Sequence, residues 1–216
     1  MKRDQRSTEI KNRVIGVSRA LFLEKGYSKT TIKMITSAAG ITTGSLYHFF
    51  KNKEEILLHI TQEVFDLAAA LADQIAADNP DPWLRFSLEI GIQLHFVLKY
   101  ERMAEQYLAA HESRDIARRI VRMAQVRNQE IFQTSLPGLS ADDFYAMSLA
   151  VKGIVHSFVQ EAFYNKEDAR PALIFRAVEM ALVIFQIPKA EIEETLRATH
   201  DRIKQFSSTT YGLEFP

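Results

Sequence analysis

The stretch LFLEKGYSKTTIKMITSAAGITTGSLYHFFKNKEEIL, from Leu21 to Leu57, decides the fold of this 216-residue chain. Its apolar residues recur with helical period. Its first glycine follows a helix predicted over 7–25, and its second glycine follows a helix predicted over 31–39, because glycine favours helix ends. A tight turn then leads into a third helix over 43–50. The stretch therefore predicts three consecutive helices, of which the last two are short.

Two short helices joined by a tight turn that contains glycine form a helix-turn-helix, whose second helix can lie in the major groove of DNA. Apolar residues such as Ile35, Leu46 and Phe50 give the pair a small core. The residues left to face outward are polar or small: Thr42, Thr43, Gly44, Ser45, Tyr47 and His48. Hydroxyl groups and free N–H groups at a helix start favour phosphate, and Lys53 begins another helix. The pattern predicts a DNA-binding surface.

Charge is divided unevenly along the chain. The whole chain carries 27 basic and 27 acidic residues, but residues 1–53 carry 11 basic and three acidic ones. The first segment is thus +8 and the remainder −8, which is typical of a polyanion-binding module joined to a different body. A chance division of charge is the alternative.

The rest of the chain also has helical period, with few glycines and prolines. A long helix is predicted from 53 to about 77, and further helices over 83–100, 103–111, 114–136, 142–164, 172–185 and 190–206. We predict an all-α fold in which an N-terminal three-helix helix-turn-helix domain is joined by a long helix to a larger helical ligand-binding and dimerisation domain. The expected bounds are 1–53, 54–206 and a disordered tail over 207–216.

The segment from Val14 to Leu57 closely resembles the DNA-binding domain of TetR-family regulators, the tetracycline-repressor-like proteins. The matching elements are LF…KGY, the threonine pair, I-x-x-A-A-G, G-I-T-x-G-x-L-Y-x-F-F and K-N-K-E-E-I-L. Departures are slight: Val17 and Ser18 replace a small pair, and Thr36 stands where alanine is usual. The resemblance covers about a quarter of the chain and implies a dimeric, all-α repressor with a C-terminal domain that binds a small effector.

The resemblance assigns DNA contacts position by position. It implies phosphate contacts from Thr31, Ser45, Tyr47 and Lys53. The residues implied to reach base edges or the groove are Lys33, Thr42, Thr43 and His48. Solvated surface residues are the alternative for each, and the basic arm 1–6 is either a further DNA contact or a disordered tail.

A helical wheel of 142–164 places small residues in one stripe beside a bulky apolar stripe. The small stripe contains Ala146, Ala150, Gly153 and Ser157, and the next helix is apolar almost all round. We predict that these two helices pair with a second copy, with Phe175, Val178 and Leu182 also at the interface. Packing within one chain is the alternative.

The middle helices are rich in aromatic residues and methionine, a composition that suits an apolar effector pocket with a few polar groups. The candidate residues are Trp83, Phe86, Gln93, His95, Phe96, Tyr100, Met103, Tyr107 and Met123. An ordinary core has the same composition. The basic run Arg114–Arg127 fits an anionic effector, a partner or a solvated face.

Enzyme classes find little support. The chain has no cysteine, no GxSxG, HExxH or GxGxxG pattern, and no pair of histidines at a metal-ligand spacing. We expect no cofactor, no metal and no enzymatic activity. Without a secretory leader or a membrane span, we expect a cytoplasmic protein.

The sequence therefore predicts a one-component regulator, most simply a repressor that binds a palindromic operator as a homodimer and is released by a largely apolar small molecule. An activator or a repressor that requires its ligand is one alternative. An all-α small-molecule-binding protein or enzyme with a non-functional helix-turn-helix is another.

Overall fold

The computed structural model describes residues 2–165 and 170–208, and within them it contains ten α-helices and no β-strand. The predicted tail falls outside these residues from position 209 onward. The helices are α1 (Lys2–Lys25), α2 (Ile32–Ala39), α3 (Thr43–Tyr47), α4 (Lys53–Ile75), α5 (Pro82–Lys99), α6 (Glu101–Glu112), α7 (Arg114–Phe132), α8 (Ala141–Asn165), α9 (Arg170–Ile184) and α10 (Ile192–Ser208). The predicted all-α fold is confirmed.

Polar caps and one glycine set the ends of the N-terminal helices. Thr31, Thr42 and Asn52 precede α2, α3 and α4, and each side-chain oxygen accepts a hydrogen bond from a backbone N–H in the first turn. Gly40 ends α2 with φ at 65°, a left-handed conformation that a side chain would disfavour. These caps hold α2 and α3 as a helix-turn-helix against α1.

Three predicted helix boundaries differ from the structure by three residues or more. Helix α1 begins at Lys2 rather than at 7, since no helix breaker stands before its first apolar residue. Helix α3 ends at Tyr47 rather than at 50, because the amides of His48 and Phe49 donate to carbonyls three residues back and tighten the last turn. Helix α7 ends at Phe132, and the chain turns before 136.

Asp81 and Pro82 start α5, with the Asp81 carboxylate accepting from the amide of Leu84 at 2.9 Å. Helix α5 lies at the centre of the C-terminal part of the chain. It packs against α4, α9 and α10, and also contacts α6, α7 and α8. Helix α8 packs mainly on α7 and α9. Because α5 has neighbours on most faces, its side chains are largely buried.

The core of the helix-turn-helix does not end at α4. It is built from α1–α4 and extends onto α6 and α7 through Ala110, Ile116 and Ile120. Close-packed apolar side chains are hardly compressible, so the movement of one helix displaces the helices packed against it. A shift of α6 or α7 is therefore felt by the N-terminal helices.

Within the described residues, no helix has the length and apolar character needed to cross a membrane.

Candidate nucleic-acid interface and internal cavity

Helix α3 presents an exposed polar face. Thr42, Thr43, Gly44, Tyr47 and His48 are exposed, and Ser45 is half-buried. Leu46, on the opposite side, is fully buried in the N-terminal core. Tyr47 is 53% exposed, which is unusual for so large a ring and leaves its hydroxyl free to reach a partner. The structure thus brings these six predicted DNA-contacting residues together on one surface.

The Thr31 and Thr42 hydroxyls, at the starts of α2 and α3, can each still donate a hydrogen bond. The oxygen of Thr31 accepts from the amide of Met34 at 3.3 Å, and that of Thr42 from the amide of Ser45 at 3.1 Å. A threonine hydroxyl that accepts as a cap still has its own O–H to donate. Each capping threonine can therefore bind a phosphate oxygen without releasing its helix. Lys33 is exposed one turn into α2.

The Lys53 ammonium is bound within the chain, unlike that of a free surface lysine. Its ammonium donates to the carbonyl oxygens of Tyr27 and Thr30 at 2.7 and 2.9 Å, and lies 4.1 Å from the centre of the Tyr27 ring. Partial burial lowers the pKa of Lys53, against the nearby Glu105 charge. Two of its three N–H groups are thus used within the chain. The structure gives it a role in fixing the loop between α1 and α2.

Helix α6 contacts that same loop. The Glu105 carboxylate accepts from the amide of Ser28 at 3.4 Å and from Arg102 at 2.8 Å. Gly26 has φ at +89°, and a Cβ there would lie 2.7 Å from the Glu105 carboxylate. Only glycine allows this approach without strain. The C-terminal body therefore meets the helix-turn-helix at a close, polar contact.

The predicted small stripe of α8 faces outward. Ala146, Ala150, Gly153 and Ser157 are all exposed, and a Cβ at Gly153 would meet no atom within 4 Å. Large apolar side chains are also exposed on α8 and α9. They are Leu149 and Tyr164 of α8 and Met180 and Val183 of α9. Apolar side chains grouped on an exposed face are typical of an interaction surface.

Part of the predicted face of α9 requires correction. Val178 and Leu182 have no exposed surface, because they belong to the core that α9 shares with α5 and α8. Phe175 is half-buried and its ring lies edge-on to His200 of α10 at 5.1 Å. The outward residues of α9 are instead Met180 and Val183. The sequence signal for the outward face of α9 was weak, because only Arg176 and Glu179 interrupt its apolar residues between Pro171 and Ile184.

A cavity lies between α4, α5, α6, α7 and α8, with α1 closing one side. Its empty space, including the mouth that opens to solvent, is about 1180 Å³. Four of the predicted effector residues line it: Phe86, Gln93, Met103 and Tyr107. Most of the remaining wall is aliphatic, from residues such as Ile90, Val97, Ile120 and Val151. The cavity has the apolar character of a small-molecule site.

The other five predicted effector residues lie elsewhere. Trp83 packs against Phe132 and donates its indole N–H to the carbonyl of Phe185 at 3.3 Å. Phe96 is buried in the core between α4 and α5, with His95 edge-on to it. Tyr100 is an exposed residue between α5 and α6, and Met123 lies on α7 away from the cavity wall. Trp83 and Phe96 therefore serve core packing rather than the cavity.

Polar groups that the sequence analysis did not single out also line the cavity. Glu89 is 8% exposed, and its carboxylate accepts from Arg127 at 3.0 Å. Burial raises the pKa of Glu89, and the Arg127 guanidinium opposes that shift. The side-chain amide of Asn128 donates to the Ser148 hydroxyl at 2.9 Å. These contacts join α5, α7 and α8, at separations along the chain that no sequence pattern could reveal.

Two histidines lie beside the cavity in a stack of rings. His111 lies 3.9 Å from Tyr107 and 5.5 Å from His156, ring centre to ring centre. Burial lowers the pKa of His111 to about 4. Within the described residues, Nδ1 of His156 is buried without a hydrogen-bond partner. Of the basic run Arg114–Arg127, four arginines are exposed and only Arg127 turns inward.

The fold and the exposed α3 face define an all-helical protein with an N-terminal helix-turn-helix. Residues 14–60 match the sequence model of the family described as bacterial regulatory proteins, tetR family. The chain is 26% identical over 168 residues to the uncharacterised HTH-type transcriptional regulator YerO of Bacillus subtilis. This match covers 74% of this chain and 58% of YerO. It is 38% identical over 68 residues to the HTH-type transcriptional repressor KstR2 of Rhodococcus jostii, which covers 32% of this chain and 33% of KstR2.

Solved structures share the fold over most of the chain. RolR in complex with resorcinol has a TM-score of 0.71 at 18% identity, covering 89% of this chain and 95% of RolR. Thermus thermophilus FadR in complex with lauroyl-CoA has a TM-score of 0.65 at 14% identity, and the match covers 83% of this chain and 96% of FadR. The chain spans about half the length of the first curated relatives it matches. The similarity to the tetR family model thus lies in residues 14–60, which span the second half of α1, all of α2 and α3, and the start of α4.

Proposed function

We propose that this protein is a transcriptional regulator that binds a palindromic operator as a homodimer and is released from it by a small, largely apolar effector. The observation that carries the proposal is the exposed polar face of α3, with Tyr47 and His48 outward and Leu46 buried beneath. Helix α3 enters the major groove. Thr31, Ser45 and Tyr47 bind phosphates, and Thr42, Thr43 and His48 read base edges.

The proposed dimer forms through α8 and α9. The small residues of α8 let the partner's helix approach closely, and Leu149, Met180 and Val183 supply apolar area. A twofold dimer presents two copies of α3 to successive major grooves, about 34–36 Å apart. Operator half-sites one helical turn apart follow from that symmetry. The proposed boundary between the DNA-binding and effector parts lies at the start of α4.

The cavity supports an effector role because its walls include the helices that hold the DNA-binding part. Leu23 of α1 and Thr61 and Phe65 of α4 line it, together with Tyr107 of α6. A ligand there changes the balance between two dimer arrangements that differ in the α3 separation. Helix α6 carries Glu105 to the Gly26–Ser28 backbone, so a shift of α6 reaches the helix-turn-helix directly.

The repressor role is supported by relatives whose names describe repressors, KstR2 among them. A regulator of this kind acts on chromosomal DNA, which places its work in the cytoplasm. Selection of binding sites from random double-stranded DNA tests the proposal. We expect a palindrome with half-sites one turn apart, and release by a ligand that enters the cavity. Recovery of no enriched sequence, with and without cell extract, contradicts it, and a ligand that tightens binding contradicts release.

A further inference from the structure

The Glu89 carboxylate is an acceptor built into the cavity wall. One oxygen, Oε2, accepts from Nε of Arg127 at 3.0 Å. Within the described residues, no hydrogen bond reaches the other oxygen. Glu89 as a whole is largely buried and lines the cavity, so a donor from a ligand would stabilise its carboxylate there. The pair Glu89–Arg127 therefore offers one strong acceptor to whatever fills the cavity.

Charge around Glu89 is already balanced. Arg127 also donates to Asp73 at 2.8 Å, and Asp73 accepts from Arg85 at 2.7 Å. Two acids and two arginines thus neutralise each other along α4, α5 and α7. An anion entering at this end would meet Glu89, whereas a cation would gain little because Arg127 already neutralises the Glu89 charge. This arrangement favours an uncharged ligand with an O–H or N–H group.

His111 offers a second acceptor in the same cavity. Its Nδ1 lies 2.8 Å from the carbonyl oxygen of Tyr107. A carbonyl only accepts, so Nδ1 carries the proton and Nε2 keeps its lone pair. The imidazole is neutral near pH 7, since burial lowers its pKa to about 4. The cavity thus combines acceptors on α5 and α6 with a mainly apolar wall that includes the rings of Phe65 and Phe86.

We infer that the cavity binds an uncharged, mainly apolar compound that carries a hydroxyl group, with that O–H donating to Glu89 and a second donor, where present, reaching His111. Glu89 is then the residue that determines ligand specificity. The inference rests on the proposed function only in taking this ligand as the effector. Two further charged residues line the wall. Arg19 of α1 is paired with Glu63, whereas Lys152 of α8 lies near His111 and would instead favour a carboxylate.

Isothermal titration calorimetry on the full chain tests the inference with three rigid probes. Resorcinol offers two hydroxyl donors, 1,3-dimethoxybenzene keeps the ring and oxygens without a donor, and 3-hydroxybenzoate adds a negative charge. We expect resorcinol to bind at least about tenfold more tightly than either of the others, because a hydrogen bond to a charged acceptor is lost or opposed in each. Equal binding of the dimethoxy compound, tightest binding of the benzoate, or no binding of resorcinol would overturn the inference.

The Glu89→Gln variant assigns the effect to this residue, with Glu130→Gln, an exposed acid of α7, as the matched control. We expect Glu89→Gln to lose about tenfold or more in affinity for resorcinol while its affinity for 1,3-dimethoxybenzene stays the same. A purely structural role would weaken both ligands together, and that result overturns the assignment. The wild-type probe series stands independently if Glu89→Gln fails to fold. DNA binding without ligand is measured separately, so intact DNA binding with failed probe selectivity removes this inference and leaves the proposed function in place.

Discussion

The ammonium nitrogen of Lys53, the first residue of α4, lies 2.7 Å from the carbonyl oxygen of Tyr27, in the loop between α1 and α2. A second bond to the carbonyl of Thr30 and the nearby Tyr27 ring complete its surroundings. The family resemblance assigns Lys53 a phosphate contact, and one N–H remains for it. The same side chain thus joins the start of α4 to the residues that precede α2.

Lys53→Met removes these bonds and keeps most of the side-chain stem. We expect the free energy of unfolding to fall by about 1–3 kcal/mol, the range for hydrogen bonds to charged groups, and DNA affinity to fall as well. Chemical denaturation measures the first and fluorescence anisotropy the second. Lys51→Met removes the same charge from an exposed neighbour and should change stability by less than about 0.5 kcal/mol. Equal losses in the two variants would contradict the structural role of Lys53.

Tyr47→Ala tests the proposed DNA-facing surface. Because the ring is half-exposed, its loss should leave thermal stability nearly unchanged. The loss of a phosphate contact worth about 1 kcal/mol should lower operator affinity at least about fivefold. Tyr100→Ala, which removes another exposed tyrosine far along the chain, is the control and should bind DNA normally. Wild-type affinity in Tyr47→Ala would remove Tyr47 from the interface.

Gly153→Leu tests the proposed dimer face. A side chain at this position meets no atom of its own chain within 4 Å, so the fold should be unaffected. In a close helix pairing the added bulk should separate the two copies and halve the mass measured by light scattering. Gly138→Leu adds the same bulk at another open glycine, in the α7–α8 connection, and should remain dimeric. A stable Gly153→Leu dimer would mean that the copies associate elsewhere.

The buried neutral state of His111 makes stability depend on pH. Its pKa is about 4 in the folded chain and about 6.5 in the unfolded one, so the unfolded chain binds the proton first as pH falls. The contribution is complete above about pH 6.5 and is lost toward pH 4, with about 2 kcal/mol lost between pH 7 and 5. Denaturation of wild type and His111→Gln at both pH values checks this. An equal pH-dependent loss in the two proteins would exclude His111 as its source.

The sequence was informative where signals are local. Thr42 before α3, Gly40 after α2 and Pro82 at the start of α5 mark helix ends through caps and backbone geometry, and the structure agrees with each. The cavity was harder to predict from the sequence, because Glu89 and Arg127 are 38 residues apart and neither lies in a local pattern. Composition identified aromatic residues but could not separate Phe86, at the cavity, from Phe96, in the core between α4 and α5.

Sequence-specific DNA binding by α3 is the central property of the proposed regulator. The direct measurement is fluorescence anisotropy of the full chain on the DNA upstream of its own gene, with excess random competitor, at two salt concentrations. We predict tight binding that persists in excess competitor and weakens steeply as salt increases, because DNA binding releases counterions. We also predict that Tyr47→Ala weakens this binding. Binding that the competitor abolishes, followed by failure to select any preferred site from random DNA, would contradict the account.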